Sequence, residues 1–152
     1  MIRTVLVATD GSDAALDAVR TAADLARSLG PDARLHVVSA VDYIAVPGPL
    51  GKAPDGAPDL LKEQANEALE AARAAVSAGG GVPRAEFHVV AGDVVDGVLD
   101  CAREVGADIL VAGFHGRNRL VRIVMGSVVG RLVRASPVPV VVVQHGASKE
   151  IP

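Results

Sequence analysis

Residues 108–128 read DILVAGFHGRNRLVRIVMGSV, and this stretch decides the fold. Asp108 to Ala112 is a short apolar run, the pattern of a buried strand. Gly113 follows, then Gly116, then Gly126-Ser127 after nine further residues, and an apolar helical segment opens at Val128. Glycine directly after a strand lets the backbone turn with positive φ and lets a ligand come close. Gly-Ser at a helix start offers unpaired N–H groups and a hydroxyl to an anion. Arg117, Arg119 and Arg122 lie between the glycines. Together these are the parts of a phosphate cradle. No GxxxxGK[ST] occurs, so the cradle lacks the P-loop lysine.

Working outward, the same alternation of strand and helix runs through the chain. Thr4 to Ala8 is a β-branched, apolar run with little alternation, as expected of a strand covered on both faces. It ends at Thr9-Asp10-Gly11-Ser12. Ser12 is a good N-cap, and Asp13 adds negative charge to the first turn of a helix. The helix buries Ala15, Ala18, Val19, Ala22, Leu25, Ala26 and Leu29 and closes at Gly30-Pro31. Arg34 to Val41 reads as a second strand. Asp42 to Pro58, with four prolines and three glycines, reads as a long, lid-like loop. A helix from about Asp59 to Ala78 carries its stripe on Leu61, Ala65, Ala68, Ala72 and Ala75.

Ala85 to Ala91 is a third strand. Asp93 caps a helix packed through Val94, Val98, Leu99, Ala102 and Val105, although Gly97 weakens it. Ala107 to Ala112 is the fourth strand. Val128, Val129, Leu132 and Val133 suggest a short helix ending near Ser136-Pro137, and Val138 to Val143 is the fifth strand. One domain over residues 1–146 is expected, with a tail at 147–152 and fraying from His145.

Composition narrows the function. Half of the 152 residues are apolar, yet there are two Phe, one Tyr and no Trp, so the core is aliphatic and stacking platforms for nucleic acid are scarce. The net charge of −3 gives no general attraction to nucleic acid or an anionic membrane. A lone Cys101 excludes an intrachain disulfide and multi-cysteine metal sites, and reads as a small core residue. No run is long enough to span a membrane, and no signal peptide is evident. A cytoplasmic location is the expectation.

Strands alternating with helices predict an α/β fold, an open five-stranded parallel sheet with helices on both faces. In such sheets ligands bind at the carboxyl ends of the strands, where the strand order reverses. With the first strand central, that reversal falls between strands one and four. Asp10 ends the first and Gly113 the fourth, so two separate signals converge on one crevice. Asp10 suits ribose hydroxyls or, equally, capping of its own turn. The glycines are cradle or ordinary turn residues. The arginines are charge partners or a solvated face. His115 contacts a phosphate or braces the turn. His36 and His88 read as packed or edge-exposed residues, and no metal site built from protein side chains alone is expected.

The chain resembles the universal stress proteins over nearly its whole length. The resemblance rests on Val7-Ala-Thr-Asp-Gly-Ser12, Leu35-His-Val-Val38, Ala91-Gly92-Asp93, Gly106-Ala-Asp-Ile-Leu-Val-Ala-Gly113 and Pro137-Val-Pro-Val-Val-Val142. The G-x2-G-x9-G-[ST] pattern of the nucleotide-binding branch is present as Gly113, Gly116, Gly126 and Ser127. The resemblance implies strand order 3-2-1-4-5 and ATP, with Mg²⁺, as ligand. It places Ala8 and Val41 at the adenine, with Thr9 beside them and Asp10 on the ribose. Ala112, Gly113, His115, Gly116 and Arg117 run along the sugar and phosphates, and Gly126, Ser127 and Val128 hold the phosphates. Phe114 departs from the small hydroxyl residue usual there, and would either crowd the crevice or point outward.

The family also implies a homodimer through the last strand, Val138 to Val143. An apolar edge strand needs cover, and pairing about a two-fold axis supplies it. Pro139 makes that pairing partial. Three functions follow: an ATP-binding regulatory protein acting in stress response with a protein partner, a weak ATPase or phosphotransferase, and a nucleotide-free dimeric interaction module. The missing P-loop lysine favours the first.

Overall fold

The computed structural model describes residues 1–41, 57–115 and 127–145. Strands and helices alternate along them: β1 (Thr4–Ala8), α1 (Asp13–Leu29), β2 (Arg34–Val41), α2 (Ala57–Ala78), β3 (Ala85–Ala91), α3 (Val94–Val105), β4 (Ile109–His115), α4 (Ser127–Ala135) and β5 (Val140–His145). The sheet runs β3-β2-β1-β4-β5 with every pair parallel, the order expected.

Alternate residues of a strand face opposite sides, so each buried strand feeds two cores. Val5, Val7, Leu35, Val37, Ile109 and Val111 point to α1 and α2. Leu6, Val38, Leu110 and Ala112 point to α3 and α4. The first core is built mostly from small helix residues. Of the seven residues α1 buries, six are alanine (Ala14, Ala15, Ala18, Ala22, Ala23, Ala26) and the other is Val19. Leu29, expected inside, is 38% exposed because it is the last helical residue. On α2 the buried stripe is Ala65, Ala68, Leu69, Ala72 and Val76. That helix begins two residues earlier than expected. Pro58 is accommodated because the first turn needs no N–H from it. Residues 42–56 of the expected loop lie outside the described residues.

Two glycines are explained by crowding. A Cβ on Gly97 would lie 2.9 Å from Val90 Cγ2, so the glycine lets α3 settle on β3. Gly113 is tighter still. Its Cβ would stand 2.2 Å from the carbonyl oxygen of Ala14, at the start of α1.

Further boundaries in the last part of the sheet also differ from those expected. β4 does not end at Ala112. It continues through Gly113, Phe114 and His115, which pair with Val143, Gln144 and His145 of β5. Gly113 is therefore a strand residue, and its missing side chain makes room for a helix backbone rather than for a turn. β5 begins at Val140, not Val138. The Ser136 hydroxyl accepts from Val138 N–H (3.2 Å) and donates to Val138 C=O (2.7 Å), closing a turn that holds the chain out of the sheet. Pro139 joins the ladder only as an acceptor, from Leu110 N–H at 2.9 Å. His145 is no tail residue: it closes β5, and its Nδ1 lies 2.5 Å from Asp17 Oδ2 on α1. Residues 146–152 lie outside the described residues.

Candidate functional site

The reversal of strand order falls between β1 and β4, whose pairing with each other ends at Val7 and Val111. The chain beyond β1 is fixed by its own hydrogen bonds. Thr9 is buried, and its N–H donates to Val38 C=O at 2.9 Å. Its hydroxyl accepts from Gly11 N–H at 3.1 Å. Gly11 takes φ +80°, a conformation that suits glycine, where a Cβ would press within 3.2 Å of Ala68 on α2. Ser12 then caps α1, its hydroxyl accepting from Ala15 N–H at 3.3 Å.

Asp10 sits at the lip of this turn with an exposed side chain. Its Oδ1 accepts from Ser12 N–H at 2.9 Å. Both readings of Asp10 thus meet in one side chain. One oxygen braces the turn, and the other takes no part in that bond and is set in a solvent-facing carboxylate. Such a carboxylate suits the hydroxyls of a ribose.

Across the reversal, Ala112 is buried against the α3 and α4 side, and Gly113 lies under the first turn of α1. Phe114 is half-buried and packs on the core beneath α3 and α4. His115 ends β4, level with His145 of β5. Val41 is buried at the end of β2, and Ala8 is half-buried at the end of β1. Ser127 is the first residue of α4, so the unpaired N–H groups of that helix begin there. Val128, in the same turn, is 37% exposed. Gly116, Arg117, Arg119, Arg122 and Gly126 lie outside the described residues. An exposed carboxylate after β1, the small Ala112 and Gly113 within β4 and the start of α4 are the described parts of the expected site.

Two ion pairs that the sequence does not announce lock this rim. Arg131 of α4 forks onto Asp93, the N-cap of α3, at 3.0 and 3.2 Å. Asp93 also accepts from Asp96 N–H at 3.0 Å. The Arg131 guanidinium first, and that backbone bond second, hold the Asp93 carboxyl below the usual carboxylate range. Likewise, the hydrogen bond from His145 holds Asp17 low, opposed by partial burial. The pairs span 38 and 128 residues of sequence, too far apart for any local pattern to reveal them.

Away from the rim, Cys101 is buried as expected, and burial pushes its thiol up to about 11, too high for a nucleophile. Among the described residues no helix is long and apolar enough to cross a membrane.

A parallel, doubly wound sheet whose strand order reverses between β1 and β4 defines a Rossmann-like protein. The universal stress protein family model matches residues 1–144. A universal stress protein of Thermus aquaticus is 35% identical over 147 residues, covering 95% of this chain and all of that protein. A universal stress protein solved in complex with cAMP is 32% identical, covers 94% of this chain and 97% of its own, and superposes with a TM-score of 0.65. One from Archaeoglobus fulgidus, solved in complex with dAMP, is 25% identical with coverage of 94% and 98% and a TM-score of 0.66. The chain belongs to the universal stress protein family.

Proposed function

We propose that this protein binds ATP, with Mg²⁺, in the crevice between β1 and β4, and serves in the cytoplasm as a nucleotide-controlled regulator in stress response. The observation that carries the reading is the exposed carboxylate of Asp10 at the strand reversal. It follows β1, which pairs with β4, and the sequence from β4 onward carries the complete Gly113, Gly116, Gly126, Ser127 pattern. Relatives solved with cAMP and dAMP support an adenine nucleotide as the ligand class. In this reading Asp10 holds the ribose, and Ala8, Thr9 and Val41 flank the base. Ala112, Gly113, His115, Gly116 and Arg117 follow the sugar and phosphates. Gly126, Ser127 and Val128 present the α4 N-terminus to the phosphates.

Regulation through a partner needs an accessible assembly surface. β5 is a sheet edge whose Val140 to Val143 are all half-buried, suited to pairing with a second copy. Because the strand starts at Val140, Pro139 lies before the paired segment rather than inside it.

The test is calorimetry of ATP with Mg²⁺ on the purified protein, together with analysis of nucleotide released on heat denaturation. Saturable binding that Asp10→Ala weakens at least about tenfold, the equivalent of one lost hydrogen bond to a charged group, is expected. Absence of both bound and bindable nucleotide would overturn the proposal. Light scattering on the same sample should give twice the chain mass, and a monomer would remove the dimer.

A further inference from the structure

A second cluster of chemistry-bearing side chains lies at the other side of the sheet. His36 of β2 and His88 of the edge strand β3 are stacked, with ring centroids 5.1 Å apart and planes 22° from parallel. His36 Nδ1 and His88 Nε2 are 2.9 Å apart. Glu86, directly opposite His36 in the β2–β3 register, brings its Oε2 to 3.9 Å from the same Nδ1. The three donor atoms fall within 4.8 Å of one another.

We infer that His36, His88 and Glu86 form a binding site for a zinc-class divalent transition-metal ion. Zinc held by nitrogen and oxygen at roughly 2.0–2.2 Å in tetrahedral geometry sets its donor atoms about 3.3 Å apart. The observed separations bracket that value. A cation between the two ring nitrogens replaces the proton they now share, and the pair opens by a few tenths of an ångström. Two imidazoles and one carboxylate match zinc and its neighbours, whereas Mg²⁺ and Ca²⁺ prefer oxygen donors throughout. Glu86 is exposed and His88 half-buried at the sheet edge, so an ion can enter from solvent and keep water in its fourth position.

The surroundings support the assignment. His36 lies between Leu35 and Val37 with only 5% of its surface exposed, so the ring that presents Nδ1 is held in place, and its Nε2 is buried without a hydrogen-bond partner among the described residues. Arg34 works against the cation, and the Glu86 carboxylate offsets it.

The test is calorimetric titration of the metal-free full chain with Zn²⁺, with Co²⁺ as the spectroscopic probe of tetrahedral coordination. One zinc per chain is expected. His88→Ala and Glu86→Gln, both at the accessible side of the cluster, should fold normally by circular dichroism. His88→Ala should weaken zinc by about 100-fold or more, and Glu86→Gln by about tenfold, at the scale known for perturbed metal sites. Asp10→Ala should leave zinc affinity unchanged, which separates this site from the nucleotide reading. No saturable zinc binding, or an affinity that His88→Ala leaves unchanged, would overturn the inference.

Discussion

The two faces of the sheet are packed by opposite means. Under α1 the helix residues are nearly all alanine, so backbone comes close to backbone, down to Ala14 resting where Gly113 has no side chain. Under α3 and α4 the contact is made by larger groups, Val95, Val98, Leu99, Val129 and Leu132, against Leu6 and Leu110. Close approach on the first face pins the start of α1, and with it the turn that carries Asp10. The second face spends its bulk on cohesion. The first face should therefore be sensitive to added atoms and the second to removed ones.

The largest effect is expected on the second face. Leu110 has no exposed surface, and Leu110→Ala should cost about 2–5 kcal/mol in denaturant melts by leaving a cavity. A loss under 1 kcal/mol would mean that α3 and α4 collapse onto the gap and that the contrast between faces is weak.

Gly113→Ala comes next. The new methyl meets backbone, which no rotamer change can relieve, and about 1–3 kcal/mol should be lost as α1 lifts. Nucleotide affinity should fall with it, because Asp10 follows α1. A variant as stable as the parent would show that α1 is not pinned at this contact.

The smallest effect is expected at the rim. Asp93→Asn keeps an N-cap for α3 but loses the Arg131 pair. Asp93 has a folded value below its ordinary one, so its contribution is present above that ordinary value and disappears as pH falls through the folded one. The gap in melting temperature between parent and variant should be widest near neutrality and close below about pH 4. A gap that stays constant with pH would assign the effect to capping alone.

The comparison also shows why the sequence reading succeeded where it did. Strand-long apolar runs without alternation, Ser12 and Asp93 as caps, and Gly30 and Gly106 as stops are local signals, and each sits where it was expected. The reading stopped short where the cause is not local. Gly113 looked like a turn because glycine after a strand permits one. Its role is set by Ala14, about a hundred positions away in sequence. His145 looked like the start of a tail until Asp17 gave it a partner. His36 and His88 looked like separate strand residues, because no spacing rule reveals that β2 and β3 lie side by side in that register.

By itself the sequence determined the parallel α/β architecture, the aliphatic core and the family, all of which depend on periodicity and short motifs. Only the tertiary structure decided what Gly113 is for, where the last two strands end, which ion pairs fasten the rim, and that two histidines and a glutamate converge on one point. Those depend on distances between segments remote in sequence, and such distances exist only once the sheet has set its register.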